Sequence, residues 1–410
     1  MFLHTDFRQV VHTLSDALDL VGVDDVGHGK RVGIMAAECA AVMGLGVEER
    51  AFLFDLGLLH DIGVSSTRVH RNLVTEFDWP EAWRHCRTGH DLMADFAPLS
   101  AMASPILHHH TPWNKLPEAD VAGKLALRAN LILMTDRVDA MSAPFHADNS
   151  LLAHAGEIRN VVRGHAGTYF SPELVDVFLE ASRTEAFWLR LEARAMGLVL
   201  RDQLLMTQIV PLDMDELRHL ALIFARIVDA KSPFTAEHSL GVARVARLLG
   251  ELLGLDEETC VKLEVAGLLH DLGKLRVADE ILDKPDRLNS AERFVINTHS
   301  FETYQILSRI PGFEEITAWA SYHHEEPDGS GYPFHLSGDE LTLPARAMRV
   351  ADIFQAMVQD RPYRSGLGPD RVREFMRDMA DAGRIDREVA DMLDANIDQA
   401  LKAATAAETA

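Results

Sequence analysis

Apolar residues recur with the 3.6-residue period of a helix along most of the chain, as from Leu125 to Met134, Leu217 to Val228 and Val242 to Leu253. Alternating strand patterns are scarce, so the pattern predicts an all-α fold. In two of these stretches a histidine shares the apolar stripe: His238 with Val242, Val245 and Leu249, and His28 with Val32, Met35 and Cys39, at the same steps of 4, 7 and 11. Both histidines are expected to face a core. One such histidine would read as a hydrogen-bonded core residue; its recurrence asks for another explanation.

The recurrence extends much further. Gly57-Leu58-Leu59-His60-Asp61-Ile62-Gly63 returns as Gly267-Leu268-Leu269-His270-Asp271-Leu272-Gly273, and His28 and His238 keep the same separation of 210 residues. His85 and His299 are 214 apart, as are His109-His110 and His323-His324, while Asp136 and Asp352 are 216 apart. Offsets that drift by so few residues indicate duplication with small loop insertions. The expectation is a tandem of helical bundles, 1–205 and 206–410, joined by a helical connector. Ser171-Pro172-Glu173 opens a helical stretch that runs on through Leu191 to Leu205, the boundary falls near Pro211, and Asp213 suits the N-cap of a helix from Asp215 to Asp229. The small polar tail from Ala403 to Ala410 is expected to fray.

Composition narrows the function classes. Hydrophobic residues at 47% and charged residues at 25% are globular values, and no apolar run approaches the length of a membrane span. With no secretion signal at Met1-Phe2-Leu3, a cytoplasmic location is expected. Cys39, Cys86 and Cys260 lack zinc-finger spacing and read as reduced core thiols. A net charge of −23 argues against broad binding to duplex nucleic acid or an anionic membrane. A small anionic substrate, met locally by cations and a few basic residues, stays open, as does a homodimer.

The duplicated residues are imidazoles and carboxylates, the ligands of hard-to-borderline divalent ions. His270 and Asp271 are adjacent at the end of an apolar helix that Gly273 helps to break, so their side chains can serve two metals. His238, His299, His323, His324 and Asp352 would complete two shells of the kind that activate water and clamp a phosphoryl group.

Three segments carry a specific resemblance. His270-Asp271-Leu272-Gly273-Lys274, the run from His323 through Gly329-Ser330-Gly331-Tyr332-Pro333, and Asp360-Arg361-Pro362-Tyr363-Arg364 resemble the defining motifs of the HD-GYP family, over roughly Pro211 to Arg364. The resemblance implies an all-helical phosphodiesterase that opens cyclic di-GMP or 3′,3′-cyclic GMP-AMP to a linear dinucleotide with a hydroxide activated by two divalent metals, iron, manganese or similar. It assigns His238, His270, Asp271 and Asp352 to one metal and Asp271, His299, His323 and His324 to the other. Lys274, Arg361 and Arg364 fall to phosphate contact, with Lys274 aiding the leaving oxygen beside Asp271 in catalysis. Tyr332 would stack on a base or pack a turn, and Glu325 would orient a ligand histidine. Two positions depart from the family: Phe234 where some relatives carry a third-metal carboxylate, and Gln355 where an aspartate is usual.

The first unit resembles the wider HD superfamily from about Asp25 to Asp139. It keeps His28, His60, Asp61, His85, His109, His110 and Asp136 as a candidate second metal site, with the choice of two among His108, His109 and His110 left open. Val64 replaces the lysine, Asn114 stands where Asp328 does, and nothing matches the Gly-Tyr-Pro or Arg-Pro-Tyr-Arg segments. Catalysis is therefore expected in the second unit and a regulatory or structural role in the first. The alternatives are a non-catalytic cyclic-dinucleotide receptor or scaffold, and a nucleotide phosphohydrolase of the wider superfamily.

Overall fold

A computed structural model describes residues 2–22, 27–148, 150–205, 208–232, 238–360 and 365–406. Arg361, Arg364 and Phe234 lie outside them. The described chain is helical as expected. Its one sheet, among the described residues, pairs Phe2–Asp6 antiparallel with Pro211–Asp213. The chain forms two compact units, residues 7–210 and residues 211–410 with the N-terminal strand. No helix among the described residues is long and apolar enough to cross a membrane.

Pro211 opens the second strand, and Asp213 caps helix Met214–Asp229 through a capping box: Asp213 Oδ1 accepts from the Glu216 amide at 2.8 Å, and Glu216 accepts from the Asp213 amide at 3.2 Å. The helical stretch expected to run on to Leu205 is instead three helices, Pro172–Ala181, Glu185–Leu189 and Ala193–Leu205. Their apolar residues serve different surfaces. Phe178, Phe187 and Trp188 are buried, whereas Leu198 and Leu205 are exposed. Ala403 to Thr405 close helix Ile397–Thr405 rather than fraying, and residues 407–410 lie outside the description.

Each unit is built on a helix pair that begins and ends at ligand-type residues. His28–Val42 packs on Val47–Leu59, and His238–Leu252 on Glu257–Leu269. The backbones touch. A Cβ on Gly57 would lie 2.7 Å from Gly33 Cα, and one on Gly267 would lie 2.6 Å from Ala243 Cα. The glycine of each repeated Gly-Leu-Leu-His-Asp segment is thus required for close approach, which carries the first histidine of one helix to the last of the other. The stripes begun by His28 and His238 are buried, and so are all three thiols; burial pushes Cys39 up to about 12, which keeps it protonated.

In the first unit a buried carboxylate, Asp55, ties helix Phe7–Asp19 to Val47–Leu59. It accepts from Arg8 Nε and Nη2 at 2.7 Å each and lies 2.7 Å from His12 Nε2. Burial opposes its ionisation, but His12 and Arg8 hold the carboxyl below its ordinary range. Removing one partner strands a buried charge, so Asp55→Asn should cost about 3–5 kcal/mol, read as a lower midpoint in denaturant. Because the folded pKa is depressed, this contribution is complete above the ordinary carboxyl range near ~4 and is lost as pH falls through the folded value. An unchanged midpoint for Asp55→Asn would count against the network.

Candidate metal centre

His270 follows helix Glu257–Leu269 directly, and Asp271 stands at the start of the short 3-10 turn Leu272–Arg276. Asp271 is buried with its two oxygens facing opposite ways. Oδ2 lies 3.3 Å from His270 Nε2 and 3.9 Å from His238 Nε2; Oδ1 lies 3.4 Å from His299 Nε2 and 3.9 Å from His323 Nε2. Asp352, on helix Leu343–Val358, brings Oδ1 to 3.3 Å from His238 Nε2 and 3.9 Å from His270 Nε2. His299, His323 and His324 form the group on the other side. The second unit thus gathers all seven expected ligands.

The hydrogen bonds fix the ring tautomers. Nδ1 of His270, His299 and His323 each meets the carbonyl three residues back, of Gly267 at 2.8 Å, Ile296 at 2.7 Å and Ala320 at 2.6 Å. A carbonyl only accepts, so each Nδ1 carries the proton and each Nε2 presents a lone pair. Yet His299 Nε2 and His323 Nε2 are 3.1 Å apart. Two acceptors at that distance repel, with the Ser300 hydroxyl at 3.3 Å to donate to His299 Nε2, and a cation between or beside the rings would relieve the opposition. His270 Nε2 and Asp271 Oδ1 are moreover buried without a hydrogen-bond partner, an arrangement that costs free energy unless an ion completes it. The donor set fits divalent metal.

Electrostatics agree. Burial, with neighbouring imidazoles, keeps His323 and His324 neutral far below their usual range, and burial lowers His299 to about 4. Burial works against ionised Asp271, but His270 and Lys274 carry it well below the usual carboxyl value. His299, His323 and His324 are therefore neutral and Asp271 charged at neutral pH, the forms that bind metal, whereas His270 is raised: burial works against its charged form and Asp271 outweighs it. Lys274 Nζ contacts Asp271 Oδ2.

Several expectations are refined or corrected. Gly273 lies past the helix end, and its role is close approach: a Cβ there would sit 2.1 Å from the His299 carbonyl oxygen. Its amide donates to Thr303 Oγ1 at 3.0 Å, and that hydroxyl donates to the His270 carbonyl at 3.1 Å, locking the turn to helix Ser290–Leu307. Glu325 does not orient a histidine. Its oxygens accept from the Phe334 and Leu336 amides at 2.7 and 3.0 Å and so shape the loop after Tyr332. The Tyr332 ring lies 4.8 Å from that of His324 at 29°, packed on a ligand-type residue.

Sequence reasoning missed the residues behind the cluster. Arg349 donates to the His323 carbonyl at 3.2 Å and pairs with buried Glu326, which also takes Arg384 at 2.8 and 2.9 Å. His238 Nδ1 meets Gln359 Oε1 at 3.1 Å. Burial is not written in local spacing, and these pairs join residues 23 to 121 apart.

The first unit repeats the geometry. Asp61 Oδ2 lies 3.5 Å from His60 Nε2 and 3.8 Å from His28 Nε2, while Oδ1 lies 3.4 Å from His85 Nε2 and 3.9 Å from His109 Nε2. Asp136 Oδ1 is 3.4 Å from His28 Nε2. His109 and His110 join the cluster and His108 does not. Differences lie around it. Buried Val64 replaces Lys274, and Arg137 donates to Asp136 Oδ2 at 2.8 Å, a charge the second unit lacks at Ile353.

An HD-domain family model matches residues 223–389. Over 402 residues, 97% of this chain and 93% of its relative, the sequence is 36% identical to the 3′3′-cGAMP-specific phosphodiesterase 1 of Vibrio cholerae. The chain belongs to the HD-GYP family. A second relative, the cyclic di-GMP phosphodiesterase response regulator RpfG of Xanthomonas campestris, is 36% identical over 163 residues, 39% of this chain and 43% of that protein. The crystal structure of the cyclic GMP-AMP specific phosphodiesterase V-cGAP3 of V. cholerae aligns over 96% of this chain and 98% of its own, with a TM-score of 0.66 at 26% identity.

The glycine contact gives a direct test on this HD-GYP protein. Gly273→Ala must displace the His299 backbone, so it should lower bound metal in the full chain while Gly156→Ala, inside helix Leu151–Gly164 with nothing within 4 Å, changes metal content little. Equal metal content in wild type and Gly273→Ala would refute the steric assignment.

Proposed function

We propose that this chain is a metal-dependent phosphodiesterase that opens a cyclic dinucleotide, with 3′,3′-cyclic GMP-AMP as its preferred substrate. The observation that carries the chemistry is the carboxylate of Asp271, shared between two opposed sets of imidazoles. His238, His270, Asp352 and Asp271 Oδ2 would hold one divalent ion; Asp271 Oδ1, His299, His323 and His324 would hold the other. Such a pair, iron, manganese or a similar ion, lowers the pKa of water and stabilises charge on a phosphoryl group. Base preference is supported by extent of likeness: the cGAMP-specific relative matches almost the whole tandem, and the cyclic di-GMP relative matches about two fifths of it.

The protein groups divide the remaining work. Lys274 rests on Asp271 Oδ2 and can swing its ammonium to the departing 3′-oxygen, supplying a proton as the P–O bond breaks. Arg361 and Arg364 supply bidentate contacts to a non-bridging phosphate edge. Tyr332 fixes the plane of His324 by stacking. The first unit, with Arg137 on its outer carboxylate and a valine in place of the lysine, binds metal without sharing this turnover. A cyclic-dinucleotide substrate supports a cytoplasmic location.

Incubating metal-loaded protein with 3′,3′-cyclic GMP-AMP and cyclic di-GMP should give linear dinucleotide, faster from the mixed substrate. Lys274→Met should lower kcat by about 10²–10³, as loss of one stabilising donor does elsewhere. Asp271→Asn should abolish turnover, whereas Asp61→Asn should leave it standing. Tight binding of both dinucleotides with no product from metal-loaded protein would favour the receptor reading instead.

A further inference from the structure

The two copies support their first histidine by different means. In the first unit His28 Nδ1 meets Asp139 Oδ2 at 2.8 Å, and Asp139 accepts from Arg31 Nε at 2.6 Å and Nη2 at 2.9 Å. All three residues are buried. The offset that relates His28 to His238 relates Arg31 to Gly241, and the offset that relates Asp136 to Asp352 relates Asp139 to Gln355. Cation and anion have both been replaced. An unbalanced buried carboxylate at 355 would be costly beside Gly241, which is a reason for a neutral side chain there.

Gln355 has not kept the supporting contact. It lies over Gly241, where a Cβ would come within 2.3 Å of its Cδ, and its Nε2 reaches the Ala404 carbonyl of helix Ile397–Thr405 at 3.5 Å. Its Oε1 is buried without a partner. The acceptor at His238 Nδ1 is Gln359 Oε1 at 3.1 Å, four residues on and so one helical turn later. We propose that Gln359 is the positioning residue for His238, performing in the second unit the task that Asp139 performs in the first. The inference rests on the metal reading of the cluster given above.

The amide oxygen does part of what the carboxylate does. Accepting from Nδ1–H, it fixes the tautomer and aims the Nε2 lone pair at Asp271 and Asp352. Being neutral, it donates less electron density through the ring, so His238 is a weaker ligand than His28 with its carboxylate. Gln359 also caps the C-terminal end of the helix that carries Asp352, which couples the placement of two ligands of one ion.

The test is divalent-metal titration of the full chain, with Mn²⁺ as the probe, in an Asp61→Asn background so that the second unit reports. Gln359→Leu, similar in size but without the acceptor, should weaken Mn²⁺ binding about ten- to hundredfold, and Gln359→Glu should bind at least as tightly as the parent. Adding Gly241→Arg with Gln355→Asp to Gln359→Leu rebuilds the first unit's arrangement and should restore affinity. Metal-free melting of Gln359→Leu should match the parent, which separates positioning from general destabilisation. Equal Mn²⁺ affinity for Gln359→Leu, Gln359→Glu and the parent, with binding still lost in His238→Ala, would overturn the assignment to Gln359 alone. A parent chain that binds no Mn²⁺, Fe²⁺ or other divalent ion would instead remove the metal reading, and this inference with it.

Discussion

Everything in the second unit depends on an arrangement that the protein alone leaves unfavourable: imidazole lone pairs aimed at one another and at a buried carboxylate oxygen with no donor. His299 Nε2 and His323 Nε2 are 3.1 Å apart with both protons committed elsewhere, and Asp271 Oδ1 has no hydrogen-bond partner. Burying such groups uncompensated costs of order 1–3 kcal/mol each, more for a charge. A cation would resolve all of them together. The same close approach appears in the first unit, where His28 Nε2 and His60 Nε2 are 3.3 Å apart, with His28 Nδ1 on Asp139 and His60 Nδ1 on the Gly57 carbonyl.

Holding such a centre requires rigid backbone, and the packing supplies it by direct contact. Gly57 against Gly33, Gly267 against Ala243, and Gly273 against the His299 carbonyl bring helices closer than any side chain would allow. The carbonyl three residues before each of several histidines then fixes ring rotation as well as tautomer. These devices stand in both copies. The two copies part where substrate and support begin: Lys274 against Val64, Gln355 with Gly241 against Asp139 with Arg31, and Arg137 where the second unit has Ile353.

That pattern separates two requirements. A metal cluster needs buried ligands at fixed positions, which duplication copies intact. Phosphoryl transfer needs in addition mobile or forked cations that face solvent and substrate, and those positions are free to change without unfolding the bundle. The first copy keeps the former and carries Val64 at the position of Lys274. Its Arg137 neutralises part of Asp136, so any ion there sits beside a fixed positive charge that the second unit does not carry.

Much of this was legible in the sequence. Helical periodicity determined an all-α fold, the near-constant offsets determined two units, and repeated His and Asp identities picked out the ligand-type residues that the fold gathers, because each is a local pattern or a comparison of one half of the chain with the other. What lay beyond it required distant residues to meet. That Asp271 points one oxygen at each imidazole set, that His109 and His110 rather than His108 enter the cluster, that Glu325 holds a loop and not a histidine, and that Gln359 receives the proton of His238 all depend on helices packed from far along the chain. The sequence states which groups are available; only the tertiary structure decides which lone pairs face each other, because hydrogen-bond direction and burial are properties of three-dimensional contact.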